Sequence, residues 1–585
     1  MAQGWLQLVV FVVIVVALTR PLGAYMAGVF RNERIFLTRV LDPLERLTYR
    51  VLRIDPGRDM GWKVYARNLI AFSLVSWLAL YLILRTQGIQ PLNPAGFHSG
   101  PWDVSFNTAS SFVSNTNWQY YGGETTLSYF AQMAGLTVQN FVTPAVGICA
   151  LLAMIRGIIA RSGEGLGNFW RDLVRSLYYV LLPLSVLVAV VLISQGVLQT
   201  IGGAVTATTV EGANQTLALG PVASQIAIKQ IGTNGGGFFN VNSAMPFENA
   251  TALSNFVEML SLILIPAALT YTYGRMVGRQ RQGWAIFAAM LIVWVALIAV
   301  IYPAEQHGTP AQHAAGSPTA AIDGSTGGNL EGKEQRNGIA DSSLWATTTT
   351  VTSNGSVNGS MESLTGLGAA VPMTGLGTSE VIFGGVGTGL YSMLLYVIIA
   401  VFIGGLMVGR TPEYLGKKIQ AREIKLAALG ALFTPLAILI TAGAAIGSEW
   451  GRASLFAKSG PQGFSEALYA YMSQANNNGS AFAGYTGFVQ PDAPGNHGAY
   501  GITFADLVGG LTMLTARFIP ILFVLAIAGS LASRKVAPAG LGTMRTDNPT
   551  FVVLLIGVIV LVGALTFFPA LLLGPIVQSL TTRLF

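Results

Sequence analysis

Four short strings of small polar residues recur through an otherwise oily chain: Asn115-Thr116-Asn117, Thr233-Asn234-Gly235, Ser353-Asn354-Gly355 and Asn477-Asn478-Gly479. Their last members lie 118, 120 and 124 residues apart. Near-even spacing of this kind marks one unit copied four times, each copy placing a polar turn between hydrophobic segments. Asparagine and glycine tolerate the left-handed backbone needed to turn a carbonyl inward, and bulky residues resist it. None of the four strings contains Asp or Glu. A ring of neutral carbonyl oxygens suits a large monovalent cation whose hydration shell is easily stripped, whereas calcium or magnesium calls for an acidic ring. The expected ion is potassium ahead of sodium.

The elements that must position these strings follow from composition. Of 585 residues, 52% are hydrophobic and only 10% charged, with 69 glycines and a mean hydropathy of +0.56. That pattern predicts an all-α polytopic membrane protein. Runs long enough to cross about 30 Å of hydrocarbon fall at 5–22, 68–84, 129–155, 173–198, 253–273, 284–302, 389–408, 426–446, 504–531 and 551–573, which makes ten transmembrane helices. The first run precedes its basic residues (Arg20, Arg31, Arg34) and lacks a small-residue cleavage site, so it reads as an uncleaved helix with its N-terminus outside.

Charge supports this threading. The connections 29–67, 156–175, 274–283, 409–425 and 533–548 hold 24 of the 33 Lys and Arg residues, and the opposite connections hold six. By the positive-inside rule the rich set is cytoplasmic and both termini face outside. The net charge of +7 is therefore a matter of topology and anionic lipid, with no nucleic-acid partner implied.

All four strings fall in the opposite, outer connections. Each follows an apolar stretch too short to span, at 102–112, 221–231, 340–351 and 464–473. The unit is thus helix, half-helix, polar turn, helix, with repeats at 64–160, 170–275, 283–410 and 424–535 around a central pore. The segments 1–28 and 549–585 supply extra helices. A half-helix entering from outside points its partially negative end at the membrane centre, which favours a cation there. One Asn-Gly pair is an ordinary loop signal; four at one period, on one side and after a half-helix each time, are not.

Below the third turn, Gly384, Gly385, Gly387 and Gly389 place four glycines in six residues. A continuous helix is disfavoured there, so the returning helix of the third unit is expected to break under the filter, the plainer alternative being a close helix contact through small residues. Arg517 is the basic residue set well inside a span and needs a carboxylate partner; Glu380 is the candidate, as a gate at the inner end of the filter or as a static ion pair. Glu258 and Asp506, near span ends, read as interfacial. The Gly-, Ala-, Thr- and Ser-rich stretch 304–337 reads as a flexible outer linker.

The chain resembles the KdpA family, the potassium-binding subunits of bacterial Kdp P-type ATPase complexes, which are related to the Trk/Ktr/HKT transporters. The resemblance covers essentially the whole chain and rests on NTNWQ at 115–119, GTNGGGFFNVN at 232–242, TSEVIFGGVGTGL at 378–390, GRTPEYLGKK at 409–418 and NNNGSAFAGY at 476–485. It implies a potassium filter built from Asn115, Thr116, Asn117 and Gln119, from Thr233, Asn234, Gly235 and Gly236, from Ser353, Asn354 and Gly355, and from Asn477, Asn478 and Gly479. It also implies an intramembrane gating loop at the glycine-rich break. The implied setting is the bacterial inner (plasma) membrane, with a P-type ATPase subunit (KdpB-like) and small accessory subunits (KdpC-like, KdpF-like) as partners. ATP and magnesium then act only through the partner.

The sequence encodes no engine of its own. The P-type phosphorylation string Asp-Lys-Thr-Gly-Thr is absent, and the glycines at 404–409 approach a P-loop but lead to Arg410 with no preceding strand. FGGVGTG fails as a dinucleotide fingerprint for want of the same context. His98, His307, His313 and His497 lack metal spacing, and Cys149, the single cysteine, lies mid-helix. No cofactor is expected, and the chain reads as a non-catalytic subunit. The competing reading is a stand-alone Trk/HKT-like potassium or sodium transporter driven by membrane potential, which uptake by this chain alone without ATP would favour.

Overall fold

A computed structural model describes the chain except residues 1, 162, 164, 322–326, 380, 456–459, 488–501, 538–542 and 582–585. Among the described residues, ten helical segments are long and apolar enough to cross a membrane: Ala2–Phe30, Trp62–Arg85, Ala131–Ile159, Phe169–Ser194, Ala252–Met276, Gln280–Ala314, Thr388–Met407, Ala421–Gly447, Phe504–Ala532 and Pro549–Ser579. Each contains or overlaps one of the ten expected runs, so this is a multi-pass membrane protein. Among the described residues, strand is confined to two short hairpins, Val205–Thr208 with Asn214–Leu217 and Glu413–Tyr414 with Lys417–Lys418.

Spans meet where small residues let backbones approach. A β-carbon at Gly157 of the third span would strike the Ala528 backbone of the ninth, and one at Gly23 of the first would strike the Ala268 carbonyl of the fifth. Without a hydrophobic drive between helices in lipid, such close approach is what holds them. The third span is the most enclosed, its residues from Thr143 to Ile155 being buried throughout. The second span leaves Leu74, Val75, Leu78 and Leu82 exposed, the apolar face of a helix turned to lipid.

Between the second and third, fourth and fifth, sixth and seventh, and eighth and ninth spans lie four short helices: Trp102–Val113, Val222–Ile231, Gly338–Val351 and Gly460–Ala475. They are the expected half-helices.

Three expectations are corrected. The connection 29–67 is not simply a loop, because Thr38–Val51 forms a helix anchored by an ion pair of buried Glu45 with Arg175 (3.0 Å). Glu258 and Asp506 are not interfacial, being 0% and 1% exposed; hydrogen bonds from Gln230 and Ser243 hold one oxygen of Glu258 and one from Thr503 holds one oxygen of Asp506 inside protein. Lys229, on the second half-helix, is wholly buried. In the stretch 304–337, Glu305 pairs with Lys333 at 2.8 Å and accepts from Asn329 and Thr365, because a buried carboxylate must be partnered. The described part of that stretch is pinned rather than free.

Candidate functional site

The four half-helices end alike. In each, the N–H of the central turn residue reaches back five residues, Thr116 to Ser111, Asn234 to Lys229, Asn354 to Thr349 and Asn478 to Ser473, at 2.8–3.1 Å. This is the Schellman bond that closes a helix with a left-handed residue. The left-handed residues are Asn115 (φ 70°), Thr233 (50°), Ser353 (50°) and Asn477 (51°). Two positions later the backbone is left-handed again, at Asn117 (54°), Gly235 (80°), Gly355 (91°) and Gly479 (97°). Left-handed backbone at alternate residues turns successive carbonyls toward one side, where a strand would alternate them.

The turns form a closed ring. A β-carbon on Gly235 would strike the carbonyl of Asn354, one on Gly355 that of Asn478, and one on Gly479 that of Thr116. Asn115 closes the circle by donating from Nδ2 to the Thr233 carbonyl (2.7 Å). Side-chain amides cross the same seams: Asn354 to the Lys229 carbonyl (3.2 Å), Asn478 to the Thr349 carbonyl (2.7 Å) and Asn477 to the Thr116 hydroxyl (3.0 Å). Among the described residues, the carbonyl oxygens of Thr116, Asn117, Asn234, Asn354, Gly355, Asn478 and Gly479 accept no hydrogen bond. Buried acceptors of that kind call for a partner such as an ion or water.

Asn117, Gly235, Gly355 and Gly479 share the lining of an open vestibule. Among the described residues its lining, which includes Trp118, Tyr120, Tyr121, Asn242 and Tyr485, contains no charged side chain. Close by, Glu124 accepts from the Asn240 N–H at 3.0 Å, and burial pushes its carboxyl above the usual carboxylate range.

The remaining expected filter residues take supporting positions. Gln119 exchanges both of its amide's hydrogen bonds with the Gly237 backbone (3.0 and 3.1 Å), clamping the first turn to the segment after the second. Gly236 abuts Asn117, leaving no room for a side chain.

Beneath the ring the returning segment of the third unit is divided. Helix Gly366–Gly377 stops, the seventh span starts at Thr388, and the residues between are non-helical where described. Phe383, Gly384 and Gly387 are left-handed, at φ 61°, 62° and 83°. The Val386 N–H donates to the Thr233 hydroxyl (2.9 Å) and the Gly384 N–H to the Val351 carbonyl (2.7 Å). A β-carbon on Gly385 would strike the Thr388 hydroxyl and lie 3.5 Å from that of Thr233, and Gly389 and Gly387 pack on the Phe383 and Gly147 backbones respectively. Arg517 is buried and lines a small cavity with Ser379, Tyr391, Tyr396, Thr434 and Asn477. Glu380 lies outside the described residues.

Polar residues that the motif reading did not single out hold the ring. Thr143 donates to Asn115 (2.6 Å) and Asn140 accepts from Asn117 (2.6 Å), both from the third span. Their signal was available: Gln132, Gln139, Asn140 and Thr143 lie at one-face helical spacing inside an apolar run. Thr349 and Ser473 accept, through their hydroxyls, from the Gly355 and Gly479 N–H groups at 2.9 Å.

Comparison with known proteins gives the family. The family model for KdpA, the potassium-transporting ATPase A subunit, matches residues 9–580. The chain belongs to the KdpA family. Full-length relatives include proteins named potassium-transporting ATPase potassium-binding subunit from Sorangium cellulosum, 53% identical with 99% of each chain covered, and from Mesorhizobium japonicum, 52% identical with 99% of this chain and 98% of the relative covered. A third, from Herpetosiphon aurantiacus, is 53% identical with 99% of each covered. KdpA-family membership thus extends over every element that builds the ring.

Proposed function

We propose that this chain is the potassium-binding subunit of a potassium-transporting ATPase, a channel-like protein that selects potassium from outside and passes it to an ATP-hydrolysing partner. The observation that carries the reading is the closed ring of four turns, with unclaimed carbonyl oxygens and a vestibule whose described lining carries no charge. Peptide oxygens replace the water of an ion that dehydrates easily, and the absence of carboxylates from the ring disfavours divalent ions. The recurring helix ends support reading the chain as four copies of one unit.

Entry is from the vestibule, on the outer side of a bacterial plasma membrane, with both termini on that side, as the Lys/Arg-rich opposite connections support. The divided third segment, touching the second and third turns, is the gate, and Arg517 with Glu380 works at its inner side. ATP and magnesium act through a KdpB-like P-type subunit, accompanied by KdpC-like and KdpF-like subunits. The relatives' names, which make each a subunit of an ATPase, support that assignment. The test is reconstitution of the full chain in vesicles, with and without its ATPase partner. Saturable potassium binding by the chain, with net uptake only when partner and ATP are present, is expected; sustained uptake by the chain alone would overturn the subunit assignment.

A further inference from the structure

The second turn differs from the other three at its last carbonyl. Its Gly235 carbonyl accepts a hydrogen bond, from Asn242 Nδ2 at 2.9 Å, whereas among the described residues the carbonyls of Asn117, Gly355 and Gly479, at the corresponding positions, accept none. Behind Asn242 lies an ion pair removed from water: Lys229 Nζ is 2.6 Å from Glu248 Oε2 and 2.6 Å from Asn242 Oδ1, and both charged side chains are 0% exposed. Glu248 Oε1 is held by the Phe239 N–H at 2.8 Å. We propose that Asn242, aimed by the Lys229–Glu248 pair, is a positioning residue that locks the Gly235 carbonyl and thereby sharpens discrimination among alkali ions.

The argument is one of donors and acceptors. An ammonium group donates only, so the oxygen of Asn242 must face it and the amide nitrogen must face Gly235. Flipping that amide would set its NH₂ against the ammonium and its oxygen against the Gly235 carbonyl, two mismatches at a buried site. Glu248 neutralises Lys229, which an unpaired buried charge could not survive. The effect is to fix the peptide after a glycine whose left-handed backbone (φ 80°) gives it freedom to rotate. A fixed carbonyl does not follow an ion of different radius, so the ring prefers the ion it fits.

This inference rests on the filter reading above, and its test separates the two. Binding of K⁺ and Rb⁺ to the full chain is titrated calorimetrically for Asn242→Ala, Asn242→Asp and Gly235→Ala, with melting temperature followed in parallel. Asn242→Ala should weaken K⁺ binding about tenfold, a loss of one buried hydrogen bond, and Rb⁺ binding less, lowering the K⁺/Rb⁺ ratio. Asn242→Asp, which still accepts from Lys229 but cannot donate, should do the same if the alanine variant does not fold. A fall in melting temperature with K⁺ affinity and the K⁺/Rb⁺ ratio unmoved in both Asn242 variants would overturn the positioning role. If Gly235→Ala weakens binding in that case, the filter reading stands without this brace; if Gly235→Ala also leaves ion binding unchanged, the filter reading fails.

Discussion

At the level of the ring the four units are nearly interchangeable; one layer below, one of them departs. The third, fifth and ninth spans are unbroken helices, Ala131–Ile159, Ala252–Met276 and Phe504–Ala532. Their counterpart in the third unit is cut into Gly366–Gly377 and Thr388–Met407, with the non-helical stretch pressed against the second and third turns. Coordination of a spherical ion rewards oxygens from every side, so the ring repeats. Control of passage needs only one movable obstruction, so the layer beneath does not. On the proposed function, sameness serves selection and difference serves gating.

That contrast can be broken by substitution, beginning at the ring. Gly235→Asp adds a β-carbon aimed at the Asn354 carbonyl, at φ 80°. Strain of about 2–3 kcal/mol corresponds to roughly hundredfold weaker potassium binding, measurable by calorimetry on the full chain. Gly355→Ala and Gly479→Ala, which meet the next turn in the same way, should weaken binding by comparable factors; one of them being harmless would show that the units are not equivalent.

The layer below should respond differently. Gly387→Ala would drive a β-carbon into the Gly147 backbone at φ 83°, so potassium flux in reconstituted vesicles should fall about tenfold or more while equilibrium binding stays near that of the unaltered chain. Equal loss of binding and flux would place the break in the filter itself. Arg517→Ala removes a buried cation from the small cavity it lines. We expect retained binding with severalfold more leak, or less flux per ATP, and identical transport would count against its place in the gate. Smallest is Thr143→Val, which deletes the donor to Asn115; about 1 kcal/mol, or near fivefold in affinity, is expected by the same titration.

Part of this architecture was legible in the residues. The ten spans follow from run length, because lipid demands about 20 apolar residues per crossing, and the half-helices from runs too short to cross. Left-handed backbone at Asn115, Asn117, Asn477, Gly235, Gly355 and Gly479 suits those residue types, whereas Thr233 and Ser353 adopt it against theirs. Partnerships across distant segments were not legible. Lys229 with Glu248, Glu305 with Lys333 and Glu258 with Gln230 each look, in one dimension, like a stray loop or interface charge. Only the fold brings their partners within 3 Å. The helix Thr38–Val51 was hidden for a related reason, since its many arginines suit a loop and a membrane-surface helix equally.

The most direct test of the account is to see the ion. Crystals or single particles of the full chain with its partner, prepared in rubidium or thallium in place of potassium, should carry strong scattering density enclosed by the carbonyls of Thr116, Asn234, Asn354 and Asn478, and this density should vanish in Gly235→Asp. Density confined to a carboxylate-lined site elsewhere, with nothing between the four turns, would contradict it.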